Sequence, residues 1–307
     1  MEATREMVKV WPRKDISRET YMTRVTSKRG AGRGYELEGA VGMYPSVTHI
    51  LSYTTVKHAL PQWYAKKVAE KAGEHWQNEY KPRHDTPVDE FIKDIKSAPS
   101  EEFKHAGKVC TEVHDLINKA IRYKMDNPYT TWEEISEFGE RTQYPEPEVG
   151  VAFKNWVAFI IANYPDIVFL ETEFATYIDG HVVSPDHGGT VNIPLYAGTV
   201  DAVGLTPDHK LVVFDWKTGS GIYDEAGYQV AAYCNSIWNG NEQLADIYGG
   251  ITGAVVRLSK TDAEFEVKTI TDWERPSIVF KTMCSLYTQL SYPVFDKKAR
   301  KKKVSNG

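Results

Sequence analysis

The first half of the chain carries apolar residues at helical intervals. Over 104–124 they recur every three to four positions, which is the spacing of one face of an α-helix, and the same spacing recurs over 150–163. Ser46 is a typical helix N-cap. Pro61 is expected near the start of a second helix, because proline is tolerated in the first turn but not in the interior. The pattern therefore predicts a helical lobe over 45–165.

The second half changes to short runs of β-branched and aromatic residues separated by turn-forming segments. The pattern predicts strands over 167–178, 192–206 and 209–218, turns over 184–190 and 207–209, a helix over 224–238, a hairpin over 251–258 and 263–270, and a helix over 272–291. This order of helices, three strands, helix, strands and helix favours a single α/β fold with an α-helical N-terminal lobe.

Charge and glycine content set the expected boundaries. Residues 1–34 contain nine Lys or Arg against four acidic residues and end in the sequence GAGRG. We expect a basic, flexible lead over 1–44. One domain should follow over 45–295, with the helical lobe up to 165 and an α/β catalytic core over 166–295. A basic tail over 296–307 completes the chain.

The net charge of −5 argues against a protein that coats nucleic acid along its whole surface, but not against a local basic groove. The segment KKARKKK at 297–303 carries six positive charges, so the rest of the chain carries −11. This tail is either a solvated, disordered end or a phosphate-contacting arm. In the second case Lys301, Lys302 and Lys303 are candidates for DNA contacts.

Composition also excludes several classes of protein. No run approaches 18 consecutive apolar residues, so no membrane span is expected. Three cysteines cannot build a disulfide framework, and they are fewer than the four thiolates that usually hold an iron–sulfur cluster. We therefore expect no iron–sulfur cluster. The absence of a secretory or transit pattern favours the cytoplasm of a bacterial or phage-infected cell over a mitochondrion.

The segment FDWKT places two opposite charges at the end of an apolar run. Residues two apart on a strand share a face, so Asp215 and Lys217 should point together while Trp216 points away. Burying a carboxylate and an ammonium is costly unless they are paired. These residues alone favour a buried structural salt bridge, because ion pairs are more often structural than catalytic.

Further carboxylates change that interpretation. Glu171 and Glu173 lie on the first predicted strand, and Asp201 lies on the second. Carboxylates that converge from three neighbouring strands repel one another unless a hard cation lies between them. Mg²⁺ prefers oxygen ligands and keeps waters that a substrate phosphate can replace. The pattern therefore predicts a Mg²⁺ or Mn²⁺ site with one or two ions, in which Lys217 orients water and stabilises charge on phosphate.

Several of these residues together resemble a known superfamily. The series comprises Glu171, Asp201, Asp215-Trp216-Lys217 and Gln229-Val-Ala-Ala-Tyr233, with His114 on an upstream helix. It resembles the PD-(D/E)XK nucleases, and in particular the RecB-like branch that has a glutamine–tyrosine motif after the lysine. The resemblance implies a restriction-endonuclease-like core, which is a central mixed sheet flanked by helices.

A closer resemblance covers roughly residues 45–295. The segments PSVTHIL, ALPQW, YAGTVDAV, VVFDWKT and YQVAAY are similar to those of mitochondrial genome maintenance exonucleases and related phage exonucleases. The resemblance implies that Asp201, Asp215 and the Trp216 carbonyl bind metal and that His114 binds or neighbours a second ion.

The same resemblance assigns the remaining roles. It implies that Lys217 positions the attacking water, and that Gln229 and Tyr233 organise the site. Glu171 is preferred over Glu173 as the remaining metal ligand by counting back from an apolar position. Ser46 and Thr48 either contact substrate phosphate or only cap a helix.

We therefore expect a metal-dependent DNA exonuclease that acts from ends, with single-stranded DNA as a substrate. A double-strand recombination exonuclease and a flap endonuclease remain alternatives, and a catalytically inactive DNA-binding module is a further one. Expected partners are DNA and single-strand-binding, replication or recombination proteins. No GxxxxGK[ST] phosphate loop is present, so any helicase must be a separate protein.

Overall fold

The chain begins with a small antiparallel sheet. The computed structural model describes residues 4–12, 19–26, 33–40, 42–55, 59–78, 88–142, 144, 146–183, 190–239 and 243–291. The first four strands are β1 (Thr4–Lys9), β2 (Tyr21–Thr26), β3 (Arg33–Leu37) and β4 (Tyr44–Pro45), paired in that order. The prediction of a flexible lead over 1–44 is therefore wrong for the described residues of this range, which form these strands. Charged residues on the outer face hide the alternation of the buried Val8, Met22 and Tyr35.

Five helices follow this N-terminal sheet in the described residues between 47 and 163. They are α1 (Val47–Thr54), α2 (Ala59–Asn78), α3 (Val88–Asp126), α4 (Trp132–Arg141) and α5 (Pro147–Asn163). The N-cap prediction is confirmed, because the Ser46 side chain accepts a hydrogen bond from His49 N at 3.1 Å. The helix expected over 104–124 is part of the 39-residue α3, which continues through Pro99.

The described residues from 168 to 291 build a five-stranded sheet and three more helices. Its elements are β5 (Val168–Val183), β6 (Thr190–Leu205), β7 (Leu211–Lys217), α6 (Asp224–Trp238), α7 (Leu244–Ile247), β8 (Ile251–Leu258), β9 (Phe265–Ile270) and α8 (Glu274–Ser291). The strand order is β5-β6-β7-β8-β9, and β7 and β8 are the parallel pair. The predicted strands and the late hairpin are confirmed. Of the turn expected over 184–190, residues 184–189 lie outside the described part of the chain.

Helices cover both faces of this sheet, which makes the fold mixed α/β. On one face, Leu211 and Val213 of β7 pack with α1, α6 and α8. On the other face, Val212 and Phe214 pack with α3, α4 and α5. Helix α1 therefore packs on the opposite face of the sheet from α3, α4 and α5. No helix in the described ranges combines the length and apolar content that crossing a bilayer requires.

The N-terminal sheet packs against the extended β5–β6 hairpin. Trp11 N donates to Ala175 O at 2.8 Å, and the Trp11 ring lies 5.0 Å from that of Phe174. Val8 and Met22 share a buried apolar cluster with residues of β5 and β6. This packing places the inner face of the N-terminal sheet beside the polar end of β6 and β7.

Candidate functional site

The end of β7 separates polar from apolar side chains, as its alternation predicts. Asp215 is buried on the face that α6 covers. Trp216 points to the opposite face, where its ring lies 6.2 Å from that of Trp156 and 6.3 Å from that of Phe159. The prediction that Asp215 and Lys217 share a face is confirmed, because Lys217 Nζ donates to Asp215 Oδ1 at 3.0 Å.

Two residues of α6 complete this group. Gln229 accepts from Lys217 Nζ at 3.1 Å and donates from Nε2 to Asp215 Oδ1 at 2.8 Å. Tyr233 lies one turn later, with its hydroxyl 3.2 Å from Gln229 Nε2. The amide therefore holds both members of the Asp215–Lys217 pair. Asp215 Oδ2 is buried and accepts no aligned hydrogen bond, although Lys217 Nζ lies 2.7 Å from it.

Asp201 on β6 is joined to this group through the backbone of Trp216. Asp201 Oδ2 accepts from Trp216 N at 2.7 Å, and Asp201 Oδ1 lies 3.3 Å from His114 Nδ1. His114 Nε2 lies 3.0 Å from the Trp216 carbonyl. Because a carbonyl oxygen only accepts, Nε2 carries the hydrogen. Helix α3 thus places an imidazole between Asp201 and the end of β7.

The structure corrects the choice between the two glutamates. Glu171 lies outside this cluster and pairs with Lys9 Nζ at 3.1 Å, with an Arg122 nitrogen 3.9 Å away. Glu173 lies inside it, within 4.8 Å of ligand atoms of His114 and Asp201.

Backbone irregularity explains why the count from the sequence failed. The β5–β6 register shifts between Phe169 and Glu171, and Glu173 has a φ of 49° in the left-handed region. A non-glycine residue in that region is strained by about 1–3 kcal/mol, and its side chain leaves the regular alternation of the strand. Glu171 and Glu173 therefore do not share a facing, although they are two residues apart. Strain of this kind concentrates at functional sites.

The electrostatics of the cluster show crowded negative charge. Burial, reinforced by the neighbouring Asp201 carboxylate, raises the pKa of Glu173 to about 7. Burial also raises the pKa of Asp215 to about 6, although Lys217 opposes it. For Asp201, burial disfavours ionisation, but His114, Lys217 and the Trp216 N–H together outweigh it and the pKa falls. The pKa of His114 rises well above its usual value despite burial, because Asp201 faces it. The site therefore contains the charged pair of Asp201 and His114, and the Glu173 carboxyl is partly protonated near neutral pH.

These side chains line a cavity of about 540 Å³. Ser46 and Thr48, at the start of α1, also line it. The N-terminal sheet contributes Arg24, Arg33 and Tyr35, which sequence analysis missed. The sequence signal for these residues was weak, because apolar–polar alternation in short, highly charged strands is hard to distinguish from an unstructured polar segment. The candidates Lys301, Lys302 and Lys303 lie outside the described residues.

The cluster has the donors that a divalent cation requires. His114, Glu173 and Asp201 each offer a ligand atom within 4.8 Å of the other two. A second group that meets this distance criterion comprises His105, Glu146 and Glu148. Its three residues do not line the cavity that holds Asp215 and Lys217, whereas all three residues of the first group do. The first group is the better candidate metal centre.

Comparisons with known proteins add little to this geometry. No family model matches the chain, and no curated protein matches it. Among solved structures, the crystal structure of SSO0001 is similar over 59% of this chain and 75% of that one, with 16% identity and a TM-score of 0.28. A similarity at this level carries no argument about fold or activity. The functional conclusion therefore rests on the site itself.

Proposed function

We propose that the protein is a Mg²⁺- or Mn²⁺-dependent nuclease that hydrolyses DNA phosphodiester bonds from strand ends, with single-stranded DNA as a substrate. One observation carries the proposal. Asp201, Asp215 and Lys217, from two neighbouring strands, converge with His114 and Glu173 on one cavity. Resemblance of this residue series to PD-(D/E)XK nucleases supports the choice of DNA, and the preference for ends follows from the same resemblance.

The residues present fit a hard divalent cation. Glu173, Asp201 and His114 would hold it, with Asp215 beside them, and carboxylates are the ligands that Mg²⁺ and Mn²⁺ prefer. A structural ion pair explains Asp215 and Lys217, but it does not explain why Glu173 is buried beside Asp201. When bound, the metal would polarise the phosphate and lower the pKa of a coordinated water.

The chain's own residues perform the remaining tasks. Lys217 is fixed by Asp215 and Gln229, so its ammonium can orient the attacking water and stabilise negative charge that develops on the phosphate. The Trp216 backbone holds Asp201 through its N–H and His114 through its carbonyl. These hydrogen bonds fix ligand orientation before substrate binds, which is how supporting contacts tune a metal site.

Digestion of end-labelled DNA tests the proposal. Single-stranded, duplex, flapped and circular DNA are compared in Mg²⁺, Mn²⁺ and EDTA. We expect loss of label from linear strands only when metal is present, and no cutting of circles. Cutting of circles would refute the exonuclease assignment, and no metal-dependent cleavage of any DNA would refute the nuclease.

Substitution of Lys217 tests the mechanism in the same assay. Lys217→Ala should abolish cleavage and leave DNA binding largely intact. The matched control is Lys210→Ala, because Lys210 lies in the β6–β7 turn, where it pairs with Asp208 on the surface. Full activity of the Lys217 variant would refute the role of its ammonium group.

A further inference from the structure

The inner face of the N-terminal sheet carries a row of polar side chains towards the cavity. In the strand register Glu6 lies opposite Arg24, and Arg24 lies opposite Tyr35. Met22, two residues before Arg24 and so on the same face, is fully buried against β5 and β6. Arg24 and Tyr35 therefore face the core sheet, whereas Glu6 at the end of the row is more than half exposed.

Arg24 reaches across to the strand that carries Asp201. Its guanidinium donates to Thr199 Oγ1 at 3.3 Å, and Tyr35 lies 2.8 Å from the same hydroxyl. Thr199 precedes Asp201 by two residues on β6, and both line the cavity. The other partner of Arg24 is Glu6, whose side chain is 57% exposed. Arg24 is thus held at the cavity by an anion that solvent or a ligand can reach.

Arg33 adds a second guanidinium to this wall. It lies two residues before Tyr35 on β3 and so shares the inner face, where it lines the cavity. Its carbonyl accepts from Ser46 N at 3.1 Å, which holds β3 next to the first turn of α1. Two arginines therefore line the same cavity as Glu173, Asp201 and Asp215. A polyanion that enters a cavity with carboxylates in its lining needs cations in that lining as well.

We propose that the inner face of the N-terminal sheet is the phosphate-binding wall of the cavity, where Arg24 and Arg33 bind backbone phosphates of the DNA strand that flank the scissile one. The inference rests on the proposed nuclease function and names the part of the chain that holds its substrate. A guanidinium matches a phosphate by paired N–H donors, which makes Arg suited to this role. Glu6 competes with the phosphate for Arg24, so DNA binding exchanges one anion for another.

This competition between Glu6 and phosphate distinguishes a phosphate-binding role of Arg24 from a purely structural ion pair. If Arg24 and Glu6 only brace the sheet, loss of either partner should impair the protein in the same direction. If Arg24 binds phosphate, Arg24→Gln weakens DNA binding whereas Glu6→Gln tightens it. Arg5 offers a matched control, because it lies on the outer face of the same sheet and pairs with Glu36 at 2.7 Å.

The test is binding of a fluorescein-labelled oligothymidylate by the full chain in the Lys217→Ala background with Mg²⁺, over a series of salt concentrations. We expect Arg24→Gln to weaken binding about tenfold and to lower the salt slope by about one. Arg33→Gln should weaken binding in the same sense, Glu6→Gln should tighten it, and Arg5→Gln should leave it unchanged.

Two kinds of failure are distinguishable. The phosphate-binding wall would be overturned if Arg24→Gln bound DNA with the affinity and salt slope of the Arg5→Gln control, or if Glu6→Gln weakened binding. If the wild-type protein still cleaved DNA, the proposed function would stand. Absence of DNA binding by the Lys217→Ala parent, together with absence of cleavage by wild type, would overturn both the wall and the proposed function.

Discussion

Replacing Glu173 by glutamine removes the most unfavourable charge in the site. Glutamine keeps the length of the side chain and its Cβ, so the left-handed backbone at this position is unchanged. The pKa of Glu173 is about 7, against an ordinary value of 4.5. Between these two values the folded protein holds a proton that the unfolded chain has released, so the free energy of unfolding falls as the pH rises. The loss is complete above pH ~7 and amounts to about 3 kcal/mol.

Denaturant unfolding in EDTA at about pH 5 and about pH 8 measures this effect. Glu173→Gln should be more stable than wild type by up to about 3 kcal/mol at the higher pH, and by much less at the lower pH. Asp215, whose pKa is about 6, is present in both proteins and cancels in the comparison. Glu171→Gln is the matched control, and it should not stabilise the protein because it removes one of the two carboxylates that pair with Lys9.

Divalent metal should reverse the order of stability of wild type and Glu173→Gln. A cation favours the ionised form of Glu173, so Mg²⁺ or Mn²⁺ should stabilise wild type more than Glu173→Gln. Equal stability of Glu173→Gln and wild type at both pH values would refute the electrostatic reasoning. Equal metal stabilisation of the two proteins would refute Glu173 as a ligand.

Three further predictions concern the surroundings of the site. A Cβ at Gly198 would lie 2.5 Å from the Tyr233 ring, so Gly198→Ala should destabilise the protein by about 1–3 kcal/mol and slow cleavage. Gly150→Ala is the control, because a Cβ at Gly150 meets nothing within 4 Å and should not displace any side chain. Ser46→Ala should lower thermal stability by about 1 kcal/mol through loss of the α1 cap, as calorimetry would show. Deletion of 297–307 should weaken DNA binding and flatten its salt dependence, and an unchanged slope would mean that the tail makes no phosphate contacts.

Local periodicity accounts for what the sequence predicted well. The apolar run before Asp215 and the two-residue repeat of a strand place Asp215 and Lys217 on one face and Trp216 on the other, as the structure has them. The four-residue spacing of Gln229 and Tyr233 likewise places both on one face of α6. In these elements the side-chain directions follow from regular backbone geometry alone.

Irregular backbone and distant contacts account for what the sequence missed. The left-handed Glu173 breaks the alternation on which the choice of Glu171 depended. The contact between Arg24 and Thr199 joins residues 175 positions apart, and no local pattern encodes it. The N-terminal strands are short and highly charged, so composition predicted a flexible lead where tertiary packing on the β5–β6 hairpin forms a sheet.

Equilibrium binding of Mn²⁺, followed by electron paramagnetic resonance, tests most directly whether the cluster of His114, Glu173 and Asp201 holds the cation. We predict that wild type binds Mn²⁺ and that Asp201→Asn loses this binding together with Mn²⁺-dependent cleavage of DNA. Glu148→Gln, in the surface group with His105, should retain both. Undiminished Mn²⁺ binding by Asp201→Asn, or its loss in Glu148→Gln, would contradict the assignment of this cavity as the metal centre.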